Sequence, residues 1–458
     1  MKSPPRWLGL LTKPMLIAGV VALVWAFGLA ERIAGFSAGL GEKDRLVRWS
    51  AVLSGATRDA IPVTLVDIDP ATMAALGHPQ VAPRELLAGL ISLAATKQAS
   101  GIFLDMDTSR PGTPSSDAAL AGLVTAYPRE APPLALARRL GVPTLGGSGA
   151  DALEEQPSIL DAAVGGRPNV IWAASVSRID EDRVVRRWQL SHTTCAPGGG
   201  RTLPSPQLFA AAVAGVPPHP LSAVEAFGTA RAAAVCAPAT ATQPPAWPRN
   251  PDQSAAIAFL IPDGPDLAAP QFIERGGRQV PLFRRVSARM LMTASGTVVA
   301  PRAVADDLLR DRFVIIGASH AESMDGHLTP IGFLPGALIV ANAVATAPAV
   351  LSGQPLGPLG GTLIALALLG ALALITARLR PLAAGVVVAL AVLGALMALG
   401  RIFAPSTASD IVLAAFGMVA FLSTAEGLLA IGKDWRARGW RALLKPDKPT
   451  PQPTETPT

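Results

Sequence analysis

Residues 61–69 read IPVTLVDID, an almost unbroken apolar run that contains two acids at its end. Such a run is typical of a strand that is buried on both faces of a sheet. Asp69 and Pro70 then match the N-cap and the first position of a helix. A longer helix is predicted to begin at Pro83, and the next strand is GIFLD at 101–105. Strand, helix and strand in this order predict a parallel pair joined by a crossover.

The sequence downstream continues this alternation of strands and helices. Two runs at 169–176 and 183–190 flank the turn SRIDED and predict a hairpin. A short helix is predicted at 207–214, a buried strand (RFVIIG) at 312–317, and a last helix at 335–346. We therefore predict an α/β fold with a mixed sheet of five to seven strands.

The composition indicates that part of the chain lies in a membrane. The chain has 458 residues, of which 50% are hydrophobic and 16% charged, whereas soluble domains carry about 25% charged residues. Apolar segments occur at 15–30, 357–377, 381–400 and 411–431. The last three have about the 20 residues needed to cross ~30 Å of hydrocarbon. The first is either an uncleaved anchor or a cleavable signal peptide, and both would export the region that follows.

Basic residues beside the apolar segments predict the orientation of the chain in the membrane. Residues 31–356 carry 27 basic and 28 acidic side chains, so the net charge of +6 arises outside this region. By the positive-inside pattern, 1–30 starts in the cytoplasm and 31–356 is a periplasmic or extracellular domain. Three transmembrane helices then occupy 357–432, and 433–458 is a short cytoplasmic tail. The balanced charge of the large domain argues against nucleic acid as a partner.

Four blocks of sequence occur in a recognisable order: VTLVDIDPATMAALGHPQVAPRELL at 63–87, GIFLDMD at 101–107, DEDRVVRRWQL at 180–190, and FVIIGASHAESMDGHLTPIGFLPGALIVANAV at 313–344. Their order resembles the CHASE-2 type extracellular sensor domain of bacterial membrane signalling proteins, over roughly residues 40–350. The residues that match this family's motifs are Asp69, Thr72, Gly77, Pro83, Arg84, Asp105, Asp117, Leu120, Arg186 or Arg187, Gly317, Asp325, Thr329, Pro330, Pro335, Gly336, Ala341 and Asn342. The chain departs from the family where HPQVAP replaces an aromatic–Pro–aromatic motif and where Arg183 replaces the hairpin glycine.

Acidic residues follow both of the first two strands and form the first candidate site. Asp67 and Asp69 end one strand, and Asp105 and Asp107 end the next, at the sheet edge where ligands bind in open α/β folds. These four carboxylates could hold Mg²⁺ or Ca²⁺ or support acid–base chemistry. Alternatively they are structural, with Asp69 capping a helix and Asp67 buried against an arginine such as Arg84.

The resemblance adds further candidates to the strand-end acids. Together they predict a ligand site formed by Asp67, Asp69, Arg84, Asp105, Asp325 and Asn342. No catalytic residue, metal site or cofactor is predicted. A second cluster, His320, Glu322, Asp325 and His327, matches no zinc spacing and is interpreted as a solvated loop.

Cys195 and Cys236 are the only cysteines in the chain. Both lie in the region predicted to be exported, where an oxidising compartment favours a disulfide between them. Two buried thiols are the alternative interpretation.

The resemblance implies a membrane-bound sensor that detects an unknown extracytoplasmic ligand and signals through its transmembrane helices. Because 433–458 is too short for a kinase or cyclase domain, no enzyme activity is predicted, and the output requires a separate signalling partner. G-x-x-x-G spacings at Gly35/Gly39 and Gly357/Gly361 permit a homodimer. Two alternatives are a membrane-tethered metal-dependent hydrolase that uses the strand-end aspartates and a scaffold protein of the cell envelope.

Overall fold

The computed structural model describes residues 60–141, 154–165, 167–180, 182–196, 199–215, 254–263, 272–275, 277–320, 323 and 325–352, with isolated positions in 360–371, 390–399 and 411–412. The chain divides into two compact units. One comprises Met1–Leu40, Leu356–Ala395 and Ser409–Thr458, and the other comprises Gly41–Pro355 and Leu396–Ala408. The elements below all belong to the second unit.

Strands alternate with helices along the first half of this unit. The strands are β1 (Val63–Ile68), β2 (Gly101–Asp105), β3 (Leu134–Ala137), β4 (Leu140–Gly141), β5 (Glu154–Glu155), β6 (Val170–Ala173), β7 (Ser177–Ile179), β8 (Val185–Gln189), β9 (Ser191–Ala196) and β10 (Gly199–Pro204). In the second half they are β11 (Ser254–Ala256), β12 (Phe272–Arg275), β13 (Arg278–Pro281), β14 (Phe283–Ser287), β15 (Phe313–Ala318), β16 (Gly326–Thr329) and β17 (Gly332–Pro335). The helices are α1 (Pro70–Ala75), α2 (Arg84–Thr96), α3 (Pro114–Thr125), α4 (Asp161–Val164), α5 (Pro206–Val213), α6 (Asp306–Leu309), α7 (Gly336–Ala345) and α8 (Ala347–Ser352), with 3₁₀ turns at Ala288–Leu291 and Pro301–Ala303.

Six strands form the central sheet in the order β14-β1-β15-β2-β3-β6. Every neighbouring pair in it is parallel. The α/β prediction is thus confirmed, but the predicted mixed sheet is wrong. β1 and β2 are parallel members of one sheet, as expected, yet they are not neighbours because β15 lies between them. A strand from far along the chain can fill such a gap, since crossover connections leave the space between two parallel strands open.

Both faces of the sheet are covered, which explains its apolar strands. All six residues of β1 and of β15 are buried. One face packs against α5 and α7 through residues such as Phe209 and Leu338. The other face packs against α2, whose Leu86, Leu87, Leu90 and Leu93 are all buried as their helical spacing predicted.

The predicted hairpin is wrong in its first strand. β6, within the predicted run 169–176, is the edge strand of the parallel sheet, where Leu134 of β3 pairs with Val170. The hairpin partner of β8 is instead β7, from the segment predicted to be the turn, and β11 pairs antiparallel with the other edge of β8. The buried, apolar β6 is therefore drawn into the core, and the polar residues after it form the hairpin.

Several predictions concern residues outside those that the structure describes. They include the apolar segment 15–30, most of 357–377, 381–400 and 411–431, and the tail 433–458. Within the described part of the chain, no helix combines the length and the apolar character needed to cross a membrane.

Candidate functional site

A cavity lies at the carboxyl edge of the parallel sheet. Its volume is about 110 Å³, and we call it the edge cavity. The residues that line it are Asp105, Ser175, Ser177, Trp188, Asp325, His327, Gly336 and Ile339. They come from β2, the segment after β6, the β7–β8 hairpin, the start of β16 and the first turns of α7. The site therefore combines elements that are more than 200 residues apart in the chain.

Close packing in the middle of the sheet places Asp105 beside the start of α7. In the sheet register Asp105 pairs with Gly317 of β15. A Cβ atom at Gly317 would lie 2.6 Å from the Cβ of Ala337, so only glycine lets α7 approach β15 this closely. The close approach brings the N-terminus of α7 to the end of β2.

Asp325 sits directly over the N-terminus of α7. The backbone N–H of Gly336 donates to the backbone oxygen of Asp325 at 2.6 Å. A Cβ atom at position 336 would collide with the Asp325 carboxylate, so a larger residue there would displace that side chain. Negative charge is stabilised at a helix N-terminus because the unpaired N–H groups point toward it. Oδ1 of Asp325 also lies 3.1 Å from Nε2 of His327.

The electrostatics of the edge cavity favour proton exchange near neutral pH. Burial, and next the negative charge of Asp325, raise the pKa of Asp105 to about 7, although a hydrogen bond from Ser175 acts in the opposite direction. The hydrogen bond with Asp325 raises the pKa of His327 against the opposing effect of burial. Two carboxylates and an imidazole thus share one small polar space.

Trp188 lines the edge cavity, and its side chain carries a buried donor without a partner. It pairs with Ser177 across the β7–β8 hairpin. The side chain is only 3% exposed, and its indole Nε1–H is buried without a hydrogen-bond partner. A buried donor left unpaired costs about 1–3 kcal/mol, so an acceptor that reached this N–H would be stabilising.

Asp67 occupies a separate position on the same sheet edge. It is 1% exposed, and its Oδ2 accepts hydrogen bonds from Arg285 Nε and Ser319 Oγ, both at 2.7 Å. Its Oδ1 has no partner. Burial raises the pKa of Asp67, while Ser319 and Arg285 oppose that rise. The proposed Asp67–Arg84 pair is therefore wrong: the arginine is Arg285, on β14 beside β1.

The other strand-end acids have local structural partners. Asp69 caps α1, accepting from the N–H of Thr72 at 2.8 Å and its hydroxyl at 2.6 Å, as the N-cap pattern predicted. Burial acts to raise the pKa of Asp69, but these bonds outweigh it and the pKa is lowered. Asp107 accepts from Ser109 and Arg139. Among the described residues, no three His, Cys, Asp or Glu side chains are arranged to hold a metal ion.

Arg84 and Asn342 hold main-chain segments in place. Arg84 Nη2 donates to the carbonyl oxygens of Asp107 and Arg110 at 2.8 and 3.1 Å, which shapes the loop after β2. Asn342 is fully buried in α7, and it both accepts from the N–H of Ile261 and donates to its carbonyl. Both residues therefore have structural roles, and ligand contact by either stays a prediction.

Of the six predicted ligand residues, the structure brings two, Asp105 and Asp325, into the edge cavity. The residues that sequence analysis missed are Ser175, Ser177, Trp188 and His327. The prediction that His327 lies in a solvated loop is wrong in the loop, because His327 lies on β16 and bonds to Asp325. The two side chains are partly solvated, at 30% and 49% exposed. His320 of the same predicted loop is only 8% exposed. The i, i+2 spacing of Asp325 and His327 was the available signal, since such residues share one face of a strand.

Two further predictions fall outside the described residues. Cys236 is not among them, so the Cys195–Cys236 disulfide stays a prediction. Glu322 of the histidine-containing cluster also lies outside the described part.

Comparison with known families gives one match. The family model of the CHASE2 domain matches residues 17–376, which is most of the chain. Neither the curated proteins nor the solved structures contain a match to this sequence.

Proposed function

We propose, from the premise that this chain belongs to the CHASE2 domain family, that it is a membrane-bound sensor whose ligand binds in the edge cavity. CHASE2 is a family of extracellular sensory domains and not of catalytic ones. The observation that carries the proposal is the edge cavity itself, with its paired acids and its unsatisfied indole donor.

The position of the edge cavity supports ligand binding. In open α/β sheets, ligands bind outside the carboxyl ends of the parallel strands. Asp105 is the last residue of β2, and residues of the β7–β8 hairpin and of β16 line the edge cavity beside it. A ligand there would contact several elements that are distant in sequence, so it would favour one arrangement of them over others.

Helix α7 is the proposed route of signal transmission. Its first residue, Gly336, lines the edge cavity, and α8 follows it directly and ends at Ser352. The apolar segment 357–377 begins only a few residues later in the sequence. A ligand that shifts the N-terminus of α7 would alter the strain on the segment that enters the membrane.

The membrane arrangement completes the proposal. The four apolar segments would hold the chain in the bacterial inner membrane, with 31–356 in the periplasm and 433–458 in the cytoplasm. Output would pass to a separate cytoplasmic or membrane signalling partner, or through a homodimer.

Fusion of an alkaline phosphatase reporter after residue 200 tests this arrangement. We expect activity, because this enzyme matures only outside the cytoplasm. An inactive phosphatase there, with an active cytosolic reporter at the same point, would contradict the export of the domain.

A thermal-shift experiment tests the ligand site. The purified full chain in detergent would be heated with five probes: ethanolamine, propylamine, ethylene glycol, glycolate and glycine. Binding to the folded state raises the melting temperature. We expect at least one probe to raise it in the unchanged chain and not in Asp105→Asn. Asp107→Asn is the matched control, because Asp107 follows the same strand but lies outside the edge cavity.

The two alternative functions have less support. A metal-dependent hydrolase would need the strand-end aspartates to converge, but Asp67, Asp69 and Asp107 each have separate partners. An envelope scaffold would bind through a large exposed apolar patch. The polar lining of the edge cavity favours a small-molecule ligand instead.

A further inference from the structure

We infer that the edge cavity binds a small organic ammonium ion that also carries a neutral hydrogen-bond acceptor, such as an amino alcohol. The inference rests on the proposed function, because it names the class of ligand for the same site.

The charges around the edge cavity favour a cation. Asp105 and Asp325 both line it, and none of the described lining residues is a lysine or an arginine. Their mutual repulsion is one of the effects that hold a proton on Asp105. An ammonium group placed between the two carboxylates would replace that repulsion by attraction and by charge-assisted hydrogen bonds.

The volume of the edge cavity and the side chains that line it favour an organic cation over a metal ion. Ca²⁺ takes six to eight oxygen ligands, and the described residues contain no set of three side chains arranged to hold a metal. The volume of about 110 Å³ exceeds the ~30 Å³ share of one water molecule and is well below the ~300 Å³ of a drug-sized pocket.

The indole of Trp188 requires an acceptor as well. Its N–H is buried and unpaired, and an ammonium group has no lone pair to offer it. A carboxylate acceptor on the ligand would be repelled by Asp105 and Asp325. A hydroxyl or a carbonyl oxygen remains, and the hydroxyl groups of Ser175 and Ser177 could bond to the same group.

Binding should be coupled to proton release. The titratable groups that face the edge cavity in the described structure are Asp105 from β2 and Asp325 and His327 from β16 and the residue before it. A bound ammonium favours the charged form of Asp105. Below pH 7 Asp105 is mostly protonated in the free protein, so binding there must release its proton. Protonated His327 competes with the ammonium for the Asp325 carboxylate, which also weakens binding at low pH. Affinity should therefore fall by up to about tenfold per pH unit below 7.

Isothermal titration of the purified full chain with single probes tests the inference. Ethanolamine carries an ammonium and a hydroxyl, propylamine lacks the acceptor, ethylene glycol lacks the charge, and glycolate has the opposite charge. We expect ethanolamine to bind more tightly at pH 8 than at pH 6, propylamine to bind at least fivefold more weakly, and the other two not to bind.

Two variants assign the effect to the edge cavity. Asp105→Asn should abolish ethanolamine binding. Trp188→Phe keeps a ring but removes the N–H, so it should reduce the preference for ethanolamine over propylamine to less than twofold. Asp107→Asn is the matched control and should bind as the unchanged chain does. If Trp188→Phe fails to fold, the comparison of ethanolamine with propylamine on the unchanged chain decides the acceptor.

The outcomes separate the inference from the proposed function. Binding of ethylene glycol or glycolate that is lost in Asp105→Asn, without binding of the amines, would overturn the ammonium inference and leave the sensor proposal intact. Equal binding of ethanolamine and propylamine would overturn the need for an acceptor. Absence of binding by every probe, or binding that Asp105→Asn leaves unchanged, would overturn both.

Discussion

Replacing Asp105 by asparagine should make the ligand-free protein more stable at neutral and alkaline pH. The pKa of Asp105 rises from 3.8 to about 7 on folding, because of burial and then the charge of Asp325. The folded protein therefore holds this proton more tightly than the unfolded chain does. The free energy of unfolding must fall as the pH rises from about 4 to 7, and it stays reduced above that range.

The size of the effect follows from the shift of the pKa. About three pH units at ~1.4 kcal/mol each give a cost of about 4 kcal/mol above pH 7. Asparagine keeps the shape of the side chain without the charge, but it weakens the hydrogen bond from Ser175, worth about 1 kcal/mol. A net gain of about 3 kcal/mol remains at pH 8, or about 5–10 °C in melting temperature for a domain of this size.

Thermal unfolding of the full chain, followed by circular dichroism at pH 5 and pH 8, measures this gain. The gain should be larger by about 3 kcal/mol at pH 8, because the unfolded chain has already lost this proton at pH 5 whereas the folded protein loses it only near pH 7. Asp107→Asn is the control: burial acts to raise the pKa of Asp107, but hydrogen bonds from Ser109 and Arg139 lower it. That variant should lose stability slightly, by at most about 1 kcal/mol. A destabilised Asp105→Asn, or an equal gain at both pH values, would refute the reasoning.

Three further substitutions test contacts around the same sheet edge. Arg285→Ala leaves Asp67 buried without its cation and should lower the free energy of unfolding by about 2 kcal/mol. This is less than the ~3–5 kcal/mol of a fully buried pair, because Arg285 is 36% exposed. Urea denaturation measures the loss, and an unchanged midpoint would contradict it. Asn342→Ala removes three buried hydrogen bonds and should cost about 3 kcal/mol by the same assay. Gly336→Ala should displace the Asp325 carboxylate and abolish the thermal shift with ethanolamine while leaving the melting temperature of the free protein within a few degrees.

Local patterns were enough to predict many of the elements. The apolar run of β1, the Asp69 cap and the buried leucines of α2 all depend on neighbours within a few residues, so their sequence signals survive in the structure. The order of motifs also predicted the family, which the match over residues 17–376 confirms. These features were available from the sequence because the physics that sets them is short-ranged.

Pairing between distant segments was decided only when the whole chain folded. β15 enters between β1 and β2, and Arg285 reaches Asp67 across 218 positions of sequence. The family motifs grouped Asp105 with Asp325 in one predicted site, but nothing near Trp188 in sequence indicates that it lines the edge cavity beside them. The hydrophobic pattern of a strand predicts which of its residues are buried, but it does not predict which other strand pairs with it. That choice is made by the packing of helices on both faces of the sheet, where close approach at Gly317 sets the place of α7.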